Sequence, residues 1–175
     1  MQAAAAVLAY AQSTQRSQLD HVTEILLRQT NDRLVLDATT LANLEVLRTQ
    51  REGERGSSLL SVLDRTVTAP GGRLLRDWLR RPLRELPEIG ERHDGVAALA
   101  AEPALLARLR SALASIGDLE RLATRAVVGA LHPREAASLR DTLVAVPELF
   151  AELAGLASRL LATAAACDPV ADLAA

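Results

Sequence analysis

From Asp37 to the far end of this chain, the leucines fall three and four residues apart, in runs that break at proline and glycine. That spacing stacks them on one side of a helix and cannot produce the two-residue alternation of a half-buried strand. Asp37 suits the N-cap of a helix carrying Leu41, Leu44 and Leu47. Gly53 and Gly56 mark a polar loop, after which Ser57 or Ser58 can cap a short helix with Leu59, Leu60 and Leu63. The turn Thr68 to Gly72 launches a helix striped by Leu74, Leu75, Trp78 and Leu79, and Pro82 ends it. Prolines 87, 103 and 133 stand where a first helical turn accepts them, ahead of Ile89, Val96 and Leu99, of Leu105, Leu109 and Leu113, and of Leu139, Leu143 and Val146. Gly117-Asp118 punctuates before Leu119, Leu122 and Ala126. After Pro147, Leu149, Leu153, Leu156 and Leu160 make one long apolar stripe.

Upstream, residues 2–15 read as a helix whose apolar pattern fades between Ser13 and Ser17. Thr23 to Leu27 and Arg33 to Leu36, separated by Asn31-Asp32, read as a small β-hairpin. The expected fold is therefore mostly α: a multi-helix array with one small β-hairpin near the N-terminus. Apolar residues make up 49% of the chain but aromatic ones only 2%, so the core must come from Leu, Val, Ile and Ala. Small aliphatic side chains suit closely approaching helices. Trp78 and Leu79 are expected within that core. The tail from Ala164 to Pro169 has no charged or capped finish and its upstream stripe wants a partner, as in a piece of a longer chain.

Charge and composition narrow the function. All 20 basic residues are arginine, facing 22 acidic ones for a net charge of −2. A domain that grips nucleic acid through its phosphates needs a basic excess, so autonomous DNA binding is not expected. The single Cys167 can form no internal disulfide, which fits a reducing compartment. The apolar run Ala3 to Ala11 is too short to cross a bilayer and has no basic stretch before it. A soluble, cytoplasmic protein is expected, with no membrane partner.

No catalytic, cofactor-binding or metal-ligating residue is assigned. Without lysine there is no phosphate-binding G-x-x-x-x-G-K-[ST] loop, and Gly71-Gly72 serves to turn the chain. His21, His93 and His132 form no metal-ligand spacing; His93 reads as a partly buried helix residue and His132 as a helix-entry residue. Cys167 has no nearby histidine. Glu85, Glu88 and Glu91 read as a solvated helix face. Arg73, Arg76 and Arg80, extended by Arg81 and Arg84, share a face. They can meet a phosphate or a partner carboxylate, or form a solvated face steadied by Asp77, four residues from both Arg73 and Arg81; the second reading is the simpler. Phe150-Ala151-Glu152 has the Phe-x-Glu spacing of a base wedge, but inside a leucine stripe that Phe reads as core.

Longer strings carry more. Leu36-Asp37-Ala38-Thr39-Thr40-Leu41-Ala42-Asn43-Leu44-Glu45 resembles the "LDxxTxxNLE" opening of the core domain of the MutS DNA mismatch-repair family. Ser58-Leu59-Leu60-Ser61-Val62-Leu63-Asp64-Arg65-Thr66-Val67-Thr68, then Gly71, Arg73-Leu74-Leu75, Trp78-Leu79 and Arg81-Pro82-Leu83, resembles that family's "SLLSVLDRTVTxxGxRLLxxWLxxPL" block. Gly117-Asp118-Leu119-Glu120-Arg121 and Pro133-Arg134-Glu135, followed by Leu139-Arg140 and Pro147-Glu148-Leu149, are similar to its next block, and Tyr10 to Gln15 to its exit from the connector domain. Ala69-Pro70 stands where many members have Pro-Met, and Gly72 where Ser is common, which touches the local turn only.

The resemblance runs in order from about Ala6 to Leu153. It implies a helix leaving the connector domain at 1–16, an incomplete helical core or lever domain at 17–163, and a truncated tail before the clamp at 164–175. Such a segment is a structural and allosteric lever, not itself an enzyme, between the mismatch-reading and connector domains and the clamp and ATPase. ATP and magnesium would bind elsewhere in the parent chain. The implied partners are the remaining domains, a second copy in a dimer, and, through the whole protein, mismatched duplex DNA and MutL. The setting would be bacterial cytoplasm, associated with the nucleoid. The alternative is a helical interaction module of an unrelated intracellular protein, its Leu149 to Leu160 stripe filling a partner's groove.

Overall fold

The computed structural model describes residues 2–15, 33–50 and 57–167, in a chain that divides into two compact units, Met1–Asn31 and Asp32–Ala175. In the first, α1 spans Gln2–Gln15, and the Ser13 and Thr14 hydroxyls donate back to the Tyr10 carbonyl at 2.8 and 2.9 Å. The second holds α2 (Ala38–Asn43), α3 (Leu59–Leu63), α4 (Ala69–Arg80), α5 (Leu86–Ala100), α6 (Pro103–Ser115), α7 (Leu119–Val127), α8 (Pro133–Leu153) and α9 (Arg159–Ala165).

Local chemistry starts these helices. A helix leaves its first four N–H groups unsatisfied, and an oxygen on the residue before it can take one of them. Asp37 accepts from the Thr40 N–H at 2.6 Å, Ser58 from Ser61, Thr68 from Gly71, Asp118 from Arg121 and Ser158 from Leu161. Proline occupies the first turn of α4, α5, α6 and α8, where its missing N–H costs nothing. The first two donors of α3 find another solution: the Leu59 and Leu60 N–H groups donate to the carbonyls of Glu45 and Val46 at 3.1 and 2.9 Å.

Helix α8 is the hub: it packs against α6, α7 and α9, and α5 packs against α6 and α9. Leu109, Leu122 and Val146 are buried within this array, and Val46 and Leu60 are buried in the stretch before α4. A close approach falls at Gly117, between α6 and α7. Its N–H donates to Thr142 Oγ1 at 2.9 Å, and that hydroxyl donates to the Ser138 carbonyl at 2.7 Å. Thr142 is 0% exposed and Leu122 1%, so a polar pair and a leucine together close the α7–α8 contact.

Several expectations are corrected. The first hairpin arm, Thr23 to Leu27, lies outside the described residues. Its partner, Arg33 to Leu36, forms no strand; Arg33 makes an isolated antiparallel bridge with Leu83, and the Leu34 N–H donates to the Pro82 carbonyl. The mostly helical reading stands, and there is no strand among the described residues. Leu41, Leu44 and Leu47 do not share a helix, because α2 stops at Asn43 and Glu45 adopts a φ of 50°, turning the chain so that Val46 points inward.

Pro147 breaks nothing; it sits inside α8, and the break falls after Leu153, before the Ser158 cap. The Leu149 to Leu160 stripe is thereby split between two helices, and the groove-filling alternative loses its basis. Trp78, Leu79 and Phe150 are half-buried, not core. His93 is exposed and Val96 is 68% exposed, because α5 approaches α9 through Gly95, where an added Cβ would meet Ser158 Oγ at 3.5 Å and Leu160 Cδ2 at 3.6 Å. His93, two residues from Gly95, stands about 200° around the helix from that contact.

Candidate functional site

The strongest side-chain constellation is a string of charges joining α4, α7 and α8. Arg73, in the second turn of α4, reaches across to the start of α7. Its Nη1 and Nη2 donate to the two oxygens of Asp118 at 2.7 and 2.9 Å, and Nη2 also donates to Glu120 Oε2 at 2.7 Å. The fork-on-fork geometry is the strong form of this contact. Asp118 is the inner partner, its side chain 13% exposed against 79% for Glu120, so Glu120 adds little. Asp118 has a second task, as the N-cap of α7. The Arg73 guanidinium beside it draws its carboxyl down to about 2 from an ordinary 3.8, and Arg73 is in turn raised above its usual range.

One turn along α7, Arg121 Nη1 donates to Glu135 Oε1 at 3.1 Å, and Arg125 Nε lies 2.9 Å from Glu135 Oε2 in a charge contact too bent for a hydrogen bond. Arg125 Nη2 donates to the Ala130 carbonyl at 2.7 Å, closing the α7–α8 turn. Glu135 also accepts the His132 N–H at 3.1 Å, at the entry of α8. That backbone donor first, and then the two arginines, hold its carboxyl below the usual range. Arg73, Asp118, Glu120, Arg121, Thr124 and Arg125 line an open depression of about 430 Å³.

Each arginine here is engaged by a carboxylate or carbonyl, and the site has neither a histidine side chain nor a nucleophile beside a base. What it can do is hold three helices in register. A second contact of similar character lies at the other end of α4, where the Arg92 guanidinium of α5 stands 3.6 Å from the centre of the Trp78 ring.

A family model described as MutS domain III matches residues 39–174. The chain belongs to the MutS family. It is 45% identical over 147 residues to the DNA mismatch repair protein MutS of Symbiobacterium thermophilum, covering 84% of this chain and 17% of that protein. It is 45% identical over 159 residues to MutS of Anaeromyxobacter sp. (strain Fw109-5), covering 91% and 18%, and 39% identical over 159 residues to MutS of Desulforapulum autotrophicum, again 91% and 18%. The chain thus spans less than a fifth of the length of these relatives. No helix among the described residues is long and apolar enough to cross a membrane.

The residues that carry the MutS resemblance fall into distinct places. Arg73, Asp118, Glu120 and Arg121, widely separated in sequence, come together in the charge string. Asp37 caps α2; Asn43 and Glu45 form the turn after it, with Asn43 Oδ1 accepting from Gln50 Nε2 at 3.4 Å and Glu45 Oε1 from the Gln50 N–H at 2.9 Å. Asp64 accepts from the N–H and hydroxyl of Thr66 at 3.0 and 2.6 Å, which holds its carboxyl low, and Thr68 and Gly71 make the α4 cap. Trp78 lies against Arg92, Pro82 and Leu83 meet the backbone of Leu34 and Arg33, and Leu79 and Leu119 are half-buried. Leu44, Leu63 and Leu74 are exposed, and Pro133 opens α8 beside an exposed Arg134.

The arginine face resolves into both of its readings. Arg81 pairs with Asp77 at 2.8 Å along the same helix, while Arg73 turns away to another helix altogether. The acidic face of α5 is not wholly solvated either, since Glu91 pairs with Arg159 of α9. Sequence reasoning passed over Glu135 as a charge partner. Its position three residues after His132 is the signal that could have found it, since that is where a helix-entry carboxylate reaches back.

Proposed function

We propose that this chain is a structural and allosteric lever of a MutS-type DNA mismatch-repair ATPase, carrying position between the mismatch-reading and connector domains and the clamp and ATPase. The observation that carries the reading is the Arg73–Asp118 junction, with its continuation through Arg121 and Glu135. It couples α4, α7 and α8 through charge contacts and offers no chemistry of its own. Packed helices shift between discrete arrangements instead of deforming continuously, which is what a transmitting element needs.

On this reading, residues 1–16 leave the connector, 17–163 form the core or lever, and 164–175 lead toward the clamp. ATP and magnesium bind elsewhere in the parent protein, and the chain takes no catalytic step. Its partners are the other domains, a second copy, and, through the whole assembly, mismatched duplex and MutL, in bacterial cytoplasm at the nucleoid. Among the residues that carry the MutS resemblance, Asp37, Thr68, Asp118 and Pro133 act at helix starts, and Arg73 and Arg121 at the junctions between helices.

The test is Trp78→Ala in the full-length protein. Mismatch binding without nucleotide and DNA-independent ATP hydrolysis should stay near wild type, while ATP-dependent release from mismatched duplex slows. Release at the wild-type rate would refute the lever reading. The 175-residue chain alone should bind duplex weakly and without mismatch preference, and tight, steeply salt-dependent binding to a mismatch would argue for a DNA-binding domain instead.

A further inference from the structure

Helix α4 is attached to the helices that follow it in an unusual way. The extensive helix packing of this unit runs among α5, α6, α7, α8 and α9, and α4 takes no part in those pairs. Its only buried residue is Gly72, its Leu74 is exposed, and Leu75 and Leu79 are half-buried. Apolar adhesion to the α5–α9 array is therefore weak along its length. Across to the array it makes the forked contact of Arg73 with Asp118 and Glu120 near one end and the stacking of Trp78 against Arg92 near the other. Between α4 and α5 the chain is non-helical from Arg81 to Glu85 and contains Pro82.

The junction is also arranged so that it can open without stranding its parts. Asp118 would remain the N-cap of α7 through the Arg121 N–H. Arg73 has a second carboxylate four residues along its own helix, Asp77, now engaged by Arg81. Opening would thus leave Asp118 its capping role and Arg73 a carboxylate within reach on its own helix, shared with Arg81, so neither group is stranded.

We propose that the Arg73–Asp118 contact is an ionic latch, and that when it opens α4 pivots on the Arg81–Glu85 segment while α5 to α9 stay packed. This deepens the lever reading by naming its moving joint, but it rests on contacts within this chain. It can therefore fail while that reading stands.

The experiment measures distances by double electron–electron resonance in the full chain carrying Cys167→Ser. Spin labels go on Ala69→Cys, exposed at the end of α4 far from the pivot, and Ala123→Cys to report α4 against α7, and on Ala107→Cys and Ala137→Cys to report α6 against α8. At low salt the α4–α7 pair should show one dominant distance. Arg73→Gln should add a longer one, with 0.5 M salt producing the same shift in the wild type and little further change in the variant. Arg73→Lys, which keeps the charge but not the fork, should fall between them. The α6–α8 distance should not move in any of these. An unshifted α4–α7 distance in Arg73→Gln and at high salt overturns the latch. So does a joint broadening of both pairs, which would make the contact a general support of the fold.

Discussion

Gly117→Ala sets two opposed effects against each other where the entry to α7 packs closely on α8. Gly117 is not in the left-handed region of φ, so an alanine there meets no backbone strain. By restricting the unfolded chain it would by itself stabilise by about 0.4–1 kcal/mol. Against this, the new Cβ would lie 3.0 Å from Ser138 Oγ, 3.1 Å from Thr142 Oγ1 and 3.2 Å from Leu122 Cδ1. Ser138 is exposed and can rotate away. Thr142 cannot, because its hydroxyl is fixed between the Gly117 N–H and the Ser138 carbonyl, and Leu122 has no space to move into. Overpacking of a closed site costs about 1–3 kcal/mol. The second effect wins, and we expect a net loss of about 1–2 kcal/mol, or roughly 2–4 °C in Tm per kcal/mol for a chain of this size. Gly90→Ala is the control: it lies in α5 with nothing within 4 Å of an added Cβ, so it should gain about 0.5–1 kcal/mol. Urea and thermal melts of the two variants should move in opposite directions. If Gly117→Ala stabilises as much as Gly90→Ala, the close approach of α7 and α8 at this point is wrong.

Three further outcomes are expected. Leu122→Ala should cost about 3–5 kcal/mol, the upper part of the usual range, because Gly117 and a fixed Thr142 cannot collapse into the hole; a loss below 1 kcal/mol in a urea melt would show that the site relaxes. Thr68→Ala removes the acceptor for the Gly71 N–H and should cost about 1 kcal/mol, with faster amide exchange in the first turn of α4. Asp118 and Glu135 have carboxyls below their ordinary range when folded, so their contributions are complete above that range and vanish as pH falls through the folded values, between about 4 and about 2 for Asp118. Melting temperature should drop across that window, and Asp118→Asn, which keeps a capping side chain, should flatten the drop; an equal drop in the variant would place the acid sensitivity elsewhere.

What could be read from the sequence was whatever depends on near neighbours. Asp37, Ser58, Pro103 and Pro133 announce helix starts because caps and first-turn prolines act within three or four residues. Leu109, Leu122 and Val146 announce the core because they lie on the apolar faces of their helices. Arg73 could not be assigned in the same way: its own helix offers Asp77 at the right spacing, and its partner is 45 residues away, decided by how α4 lies against α7. Pro147 misled because a proline inside a helix is normally a break, yet in α8 the helix continues through it. The exposure of His93 and Val96 followed from a glycine, Gly95, taking the contact that a larger apolar residue was expected to make.

The same distinction explains where the strings that carry the resemblance to MutS have their most distinctive residues. With 2% aromatic residues and a core of leucine, valine and alanine, the packed surfaces carry little individual character, since one aliphatic residue fills such a space nearly as well as another. Individual character is concentrated where the chain must start, stop or turn: Asp37 before α2, Ser58 before α3, Thr68 before α4, Asp118 before α7 and Pro133 at the start of α8. Each of these lies in or beside a string that carries the resemblance, and each acts on a backbone N–H or fixes a backbone angle. Asp118 goes further, because the carboxylate that starts α7 also receives Arg73 from α4. A residue that both begins one helix and holds another converts local punctuation into relative helix position, which is the property a lever requires of its joints.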